Sequence, residues 1–222
     1  VLAVDLDDSG LADVAAAAGC RTLRADVTSR DSNAAMIARA LDEFGRLDIA
    51  FLNAGVLGRQ PRPAEWRITD LDRDLDRYPL VSSVNIDGVV YGSVAAAKAM
   101  AERGGGSIVV TASVAGLVGF SPTPMYSLTK AAVIGWVRAT APNLAPDGVR
   151  ITAICPGGVA TPLIGLDAAA ADGVPGLLAP ADLATEMITT ATSDATGEAF
   201  SVVAGRDPLR MAHPFEPVPG FG

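Results

Sequence analysis

Short apolar runs alternate with longer amphipathic stretches along this chain. Val1–Val4, Thr22–Ala25, Leu47–Leu52, Ser107–Thr111, Arg150–Ile154 and Ala199–Val203 are short and rich in Val, Ile, Leu and Ala. Strands covered on both faces of a sheet read this way. Between them, Ser9–Ala18, Arg30–Phe44, Ile68–Leu75, Ser83–Arg103, Ser127–Leu144 and Ala181–Thr192 carry the wider spacing of helices. "TSRDS" offers Ser, Thr and Asp caps to the second helix, Gly19 stops the first, and "GGG" at 104–106 ends the fourth. Pro142 lies inside the fifth, where a missing donor and a ring clash cost about 3 kcal/mol and predict a kink or an early end. Alternating strand and helix predicts an α/β protein with a doubly wound parallel sheet and helices on both faces. One domain over 1–205 is expected, then an irregular Pro/Gly-rich tail over 206–222.

Composition narrows the function. The chain has 222 residues and a formal net charge of −8, with no basic stripe to neutralise phosphates, so a nucleic-acid partner is not expected. One bound nucleotide stays possible, since that needs backbone amides more than net charge. Cys20 and Cys155 make neither a disulfide framework nor a metal cluster. A reduced, cytoplasmic protein is the expectation. No apolar run reaches the length of a membrane span, and no charged-then-apolar leader opens the chain, so no membrane partner is expected.

In a parallel sheet, ligands sit beyond the carboxyl ends of the strands. Asp5 follows the first run, Asp26-Val27 the second and Asn53-Ala54-Gly55 the third. Ser113, in "TASVAG", follows the fourth, and "PGGVATP", Pro156 to Pro162, follows the fifth. Tyr126 and Lys130 are four residues apart at a helix start, so they share a face. An alcohol gives up a hydride only as its hydroxyl proton leaves, and free tyrosine, near pKa 10, is a poor base at neutral pH. A nearby ammonium is expected to pull that value down toward the working range. The competing reading of the pair alone is a solvent-facing i,i+4 contact.

Taken together and in order, "NAG" at 53–55, Asn85 in "VNIDGVVYG", Ser113 in "TASVAG", Tyr126-x-x-x-Lys130 and "PGGVATP" resemble the short-chain dehydrogenase/reductase family. The resemblance runs from Val1 to about Gly205. It implies a Rossmann-type sheet and an NAD-dependent alcohol dehydrogenase or carbonyl reductase. Tyr126 would exchange the proton, Lys130 would also hold the cofactor ribose, and Ser113 would orient the substrate oxygen. Asn85 would hold a relay water. Asp5 would bind the adenosine ribose and disfavour a 2′-phosphate, favouring NAD over NADP. Asp26 and Val27 match adenine contacts, and Asn53, Ala54 and Gly55 match the cofactor's lining. Within the loop that starts at Pro156 and Gly157, Val159 and Thr161 match carboxamide and phosphate contacts. Helices Ser83–Arg103 and Ser127–Leu144 would pack subunit on subunit, giving a homodimer or homotetramer.

Several departures accompany the resemblance. The Gly-rich turn T-G-x-x-x-G-x-G is missing, and Val1–Asp5 match the family's second strand. The expectation is therefore a chain lacking its first βα unit, about 30 residues. That strand would lie between the first and third runs, leaving two inner edges unpaired. The chain alone is then expected to hold cofactor poorly. Thr152 stands where the family more often has Asn. The segment Leu163–Ala179, a candidate lid, has only Asp167 and Asp172 as charges, which suggests a modest apolar alcohol or carbonyl substrate. Asp5 has a rival reading as a helix cap in "DLDDSG". Cys155, Trp66 and Trp136 read as packing, and His213 as surface. The alternatives for the whole chain are a non-catalytic relative used for binding or assembly, and a sugar-nucleotide epimerase or dehydratase, which needs a larger C-terminal region.

Overall fold

The structure, a computed structural model, describes residues 1–58, 75–165, 174 and 176–211. The helix expected over Ile68–Leu75 lies outside them except for Leu75. So do Trp66, His213, most of the candidate lid and the tail from 212.

Strands β1 (Leu2–Asp5) and β2 (Arg21–Arg24) flank helix α1 (Asp8–Ala18); α2 (Arg30–Phe44) then leads to β3 (Ile49–Leu52). Asp7 caps α1 by accepting from the Ser9 N–H at 3.0 Å, and Ser29 caps α2 by accepting from Ser32 at 3.2 Å. Asp5 is therefore not the cap. Further on, α3 (Tyr78–Ser82), a π-helical turn (Ser83–Asp87) and α4 (Gly88–Ala101) run together. β4 (Gly106–Thr111), the short α5 (Val114–Leu117), α6 (Pro124–Leu144) and β5 (Val149–Pro156) follow. Helix α7 (Pro180–Thr192) and strands β6 (Ala199–Val202) and β7 (Leu209–Met211) complete the described chain.

The strands form two hydrogen-bonded sheets, β1-β2 and β3-β4-β5-β6-β7, parallel except for β7. The division falls between β1 and β3, where the sequence predicts two unpaired inner edges. In the larger sheet, side chains alternate between faces. Ile108, Val110, Ile151, Ala153 and Cys155 point to a core shared with α4 and α6; Val109 and Ile154 point to a second core with Leu183 and Ala191 of α7. Helices on both faces explain the near-continuous apolar strands, and the fold is the expected Rossmann-type α/β architecture.

Three elements differ from expectation. β7 pairs antiparallel with β6, Ser201 opposite Leu209, so the segment after 205 is not irregular throughout. Helix α6 does not end at Pro142 but runs two residues further, to Leu144. In the last turn the proline removes only one ladder donor. The helical stretch Tyr78–Ala101 is 24 residues, long and apolar enough by length and composition to cross a membrane. The sequence reading starts this helix only at Ser83. Val89, Gly92, Ser93, Ala96 and Met100 on it are buried in the protein, the ordinary state of an Ala/Gly-rich helix against a sheet.

Candidate active site

Helix α6 begins at Pro124, whose ring needs no N–H at a first helical position. That start carries Tyr126 and Lys130 inward, and both are buried, with Lys130 only 2% exposed. The ammonium lies 5.5 Å from the centroid of the Tyr126 ring. Lys130 Nζ donates to the Thr111 carbonyl at 2.6 Å, its one bond to the described residues, which leaves two N–H for a ligand. Thr111 ends β4 and also donates from Oγ1 to Asn53 Oδ1 at 2.9 Å. Two residues further, Ser113 caps α5 by accepting from the Ala115 N–H at 3.1 Å. Its side chain also lies beside the Tyr126 phenol, near enough to act on its acidity. The side chains of Ser113, from the loop after β4, and of Tyr126 and Lys130, from α6, thus converge.

Burial sets their acidities. Desolvation pushes Tyr126 above the usual phenol value, and the Ser113 side chain pulls it only partly back. Desolvation likewise lowers Lys130 to about 8, with a small opposing effect of Cys155. This corrects the expected direction for Tyr126. An ammonium whose own charge is opposed by burial does not offset the phenolate's lost hydration. The resting pair is a protonated phenol beside a weakened ammonium.

Asn85 sits in the π turn and is fully buried. Its Oδ1 accepts from the Val56 N–H at 2.8 Å, and its Nδ2 donates to the Val56 carbonyl at 2.9 Å and to Thr129 Oγ1 at 3.0 Å. Both amide hydrogens are used, which leaves a water only the second lone pair of Oδ1. Asn85 therefore anchors the loop after β3. That loop brings Gly55 so near that an added Cβ would lie 3.4 Å from both Asn85 Oδ1 and Lys130 Nζ.

A cavity of about 1110 Å³ opens over these groups. Asp5, Asn53, Ala54 and Gly55 line one side, and Ser113, Tyr126, Lys130, Pro156, Gly157, Val159 and Thr161 another. Beyond them the wall is apolar, with Val118, Phe120, Leu163, Leu183 and Ile188. Asp5 Oδ1 accepts from the Leu6 and Asp7 N–H groups at 2.7 and 3.1 Å, which fixes its carboxylate at the end of β1. Asp26 and Val27 do not line the cavity. Asp26 accepts from Thr28 N and Oγ1, both at 2.8 Å, bonds that hold its carboxyl below the usual range. Val27 packs under Gly88, and its carbonyl accepts from Asn33 at 2.7 Å. A carboxylate at one end, a closely approaching Gly backbone and a buried amine with free donors suit a dinucleotide.

The sequence reading missed Thr111, Val56, Thr129 and Gly116. Only Thr129 left a signal, being three residues after Tyr126 and so on its face of the helix.

A twisted parallel sheet with a convergent Tyr, Lys and Ser at its strand ends defines a nucleotide-binding oxidoreductase scaffold. The family model "short chain dehydrogenase" matches residues 1–170, and the chain belongs to the short-chain dehydrogenase/reductase family. It is 38% identical over 167 residues to the sex determination protein tasselseed-2 of Zea mays, covering 74% of this chain and 49% of that one. It is 37% identical over 160 residues to a cis-4-hydroxycyclohexanecarboxylate dehydrogenase of Sinomonas cyclohexanicum, covering 70% and 61%. The chain thus spans about half the length of the curated relatives it matches. Among solved structures, a 3-ketoacyl-(acyl-carrier-protein) reductase from Brucella melitensis complexed with NADH superposes with a TM-score of 0.78 at 28% identity, covering 93% of this chain and 87% of that one.

Proposed function

We propose that this chain carries the reacting groups of an NAD-dependent alcohol dehydrogenase or carbonyl reductase acting on a modest, largely apolar alcohol, ketone or aldehyde. The observation that carries the reading is the convergence of Ser113, Tyr126 and Lys130 beside the Asn53–Gly55 loop in one cavity. Bound nicotinamide supplies or accepts the hydride. Ser113 donates a hydrogen bond to the substrate oxygen where charge develops. Tyr126, protonated at rest, gives its proton to that oxygen in reduction and takes it back in oxidation. Lys130 holds ribose hydroxyls with its two free N–H groups and favours the phenolate by its charge. Asn85 fixes the loop against which the cofactor lies. The apolar outer wall and the cyclic alcohol in the Sinomonas relative's name both favour a cyclic secondary alcohol or ketone. Following NADH absorbance with a panel of cyclic ketones tests the reading. In the full-length protein, no turnover and no NADH binding would instead favour a non-catalytic binding role.

A pH profile separates the two directions. Reduction needs protonated Tyr126 and ionised Lys130. The first is met well past neutrality, because burial raises the phenol. The second fails above about 8. Reduction is therefore expected to be level below pH about 8 and to decline above it, whereas oxidation, which needs the phenolate, rises with pH. Initial rates in both directions check this, and a reduction rate that climbs through pH 8 contradicts it.

Asp5 favours NAD through its fixed carboxylate, which repels a 2′-phosphate. Arg24 lies opposite it in the β1–β2 register, with Nε bonded to the Leu6 carbonyl at 3.1 Å. In the full-length protein, Asp5→Ala removes the repulsion and leaves this cation nearby, so the ratio of NADH to NADPH affinity is expected to fall by about tenfold, a cost of roughly 1.4 kcal/mol. Titration by cofactor fluorescence measures it, and an unchanged ratio would mean that the ribose contact is elsewhere. We further infer a homodimer or homotetramer through the outer faces of α4 and α6, where Val94 and Leu128 are 40% and 50% exposed. A monomer in sedimentation would overturn that assignment.

A further inference from the structure

We propose that Thr129 is a positioning residue, whose hydroxyl joins the loop after β3 to the helix that carries Tyr126 and Lys130. Three segments meet at this one group. Its Oγ1 donates to the Tyr126 carbonyl at 2.8 Å and accepts from Asn85 Nδ2 at 3.0 Å. Asn85 in turn grips Val56 through both N–H and carbonyl. Thr129, like Asn85, has no solvent exposure, so neither can exchange its partner for water.

The chemistry of the amide makes this directional. Val56 offers one donor and one acceptor, and Asn85 matches them only in one orientation of its amide. That orientation points the second Nδ2 hydrogen at Thr129. A hydroxyl can accept it while donating to Tyr126; an apolar side chain of the same shape can do neither. Without the hydroxyl, the amide keeps a buried hydrogen with no acceptor, and its grip on Val56 competes with turning away. Gly55, next to Val56, lies against Lys130 Nζ, so any slack in the loop reaches the ammonium. The proton-transfer pair and the loop are thus held in register by one side chain that touches neither substrate nor cofactor.

The link stands on geometry; only its consequence for catalysis rests on the function proposed above. The test therefore has two arms, both on the full chain. In the first, amide hydrogen exchange is read at Val56 and, as an internal reference, at Ile154 in the central strand. Thr129→Val is expected to speed exchange at Val56 relative to Ile154 by about 10- to 100-fold, the range expected for an orphaned buried donor. Thr129→Ser, which keeps the hydroxyl, is expected to restore protection to within about threefold of the parent. If Thr129→Val does not fold, Thr129→Cys, similar in volume and a far weaker partner, is read in the same way. An unchanged Val56:Ile154 ratio in the variant without the hydroxyl, or an equal loss in Thr129→Ser, overturns the proposal. In the second arm, kcat and the KM for NADH are measured with cyclohexanone. Thr129→Val is expected to lower kcat about tenfold with rescue by Ser, as displaced reacting groups require. Should the full-length parent protein turn over nothing, the functional reading fails, and the exchange arm still decides the link.

Discussion

Tyr126→Phe is expected to lower turnover by about 10²- to 10⁴-fold while NADH affinity stays within about twofold of the parent. The substitution removes one atom that carries a proton and little else. The ring that Lys130 approaches to 5.5 Å remains, so the ammonium keeps its aromatic neighbour. Lys130 keeps the Thr111 carbonyl, and Ser113 keeps its bond from Ala115. The substrate oxygen then has a hydrogen-bond donor in Ser113 but no acid to complete the transfer. Among the described residues that line the cavity, Asp5 is the only carboxylate and none is a histidine. Stopped-flow absorbance of NADH measures kcat, and equilibrium fluorescence measures affinity. Turnover within a factor of about three of the parent would remove Tyr126 from the proton transfer. Loss of NADH binding together with turnover would mean that the ring holds the cofactor instead.

The strands were legible because their apolar runs are short and bounded by polar strand ends; all six expected strands exist. β7 was not, because Leu209–Met211 is three residues inside a Pro/Gly-rich stretch and is a strand only through its pairing with β6. Helix starts were set too late at Tyr78 and Pro124, since Pro reads as a break although it fits a first turn. The strand-end rule brought Asp5, Asn53–Gly55, Ser113 and the Pro156–Thr161 loop to one cavity. Asp26 and Val27 lie outside the lining of that cavity, with Asp26 Oδ1 bonded to Thr28 and the Val27 carbonyl to Asn33. The tie between Asn85 and Val56 joins residues 29 apart and depends on a π turn that no periodicity announces. The direction of the Tyr126 shift was misread for a related reason. Spacing reveals the helix face that a lysine shares with a tyrosine, but desolvation belongs to the assembled site.

Gly116→Ala is expected to destabilise the chain by about 1–3 kcal/mol, the cost of overpacking, and to lower the melting temperature by about 2–4 °C per kcal/mol. Gly116 lies in α5, which leaves β4 just after Ser113 and passes directly under α6. A Cβ there would sit 2.6 Å from the Lys130 carbonyl carbon, 2.7 Å from its oxygen and 2.8 Å from the Ala131 nitrogen. These are backbone atoms, which cannot rotate aside, so one helix must move from the other. The movement falls between Ser113 and the Tyr126–Lys130 helix, where a displacement of about 1 Å costs on the order of 10²-fold in rate. Stability and turnover are therefore expected to fall together. Gly135→Ala supplies the control on α6 itself. A Cβ at Gly135 meets nothing within 4 Å, and alanine favours a helix over glycine by about 1 kcal/mol. That variant is expected to melt at or above the parent temperature. Thermal melts of both, with NADH-linked rates on the same samples, make the comparison. If the two alanines behave alike, the approach of α5 to Lys130 is not what holds the reacting groups in place.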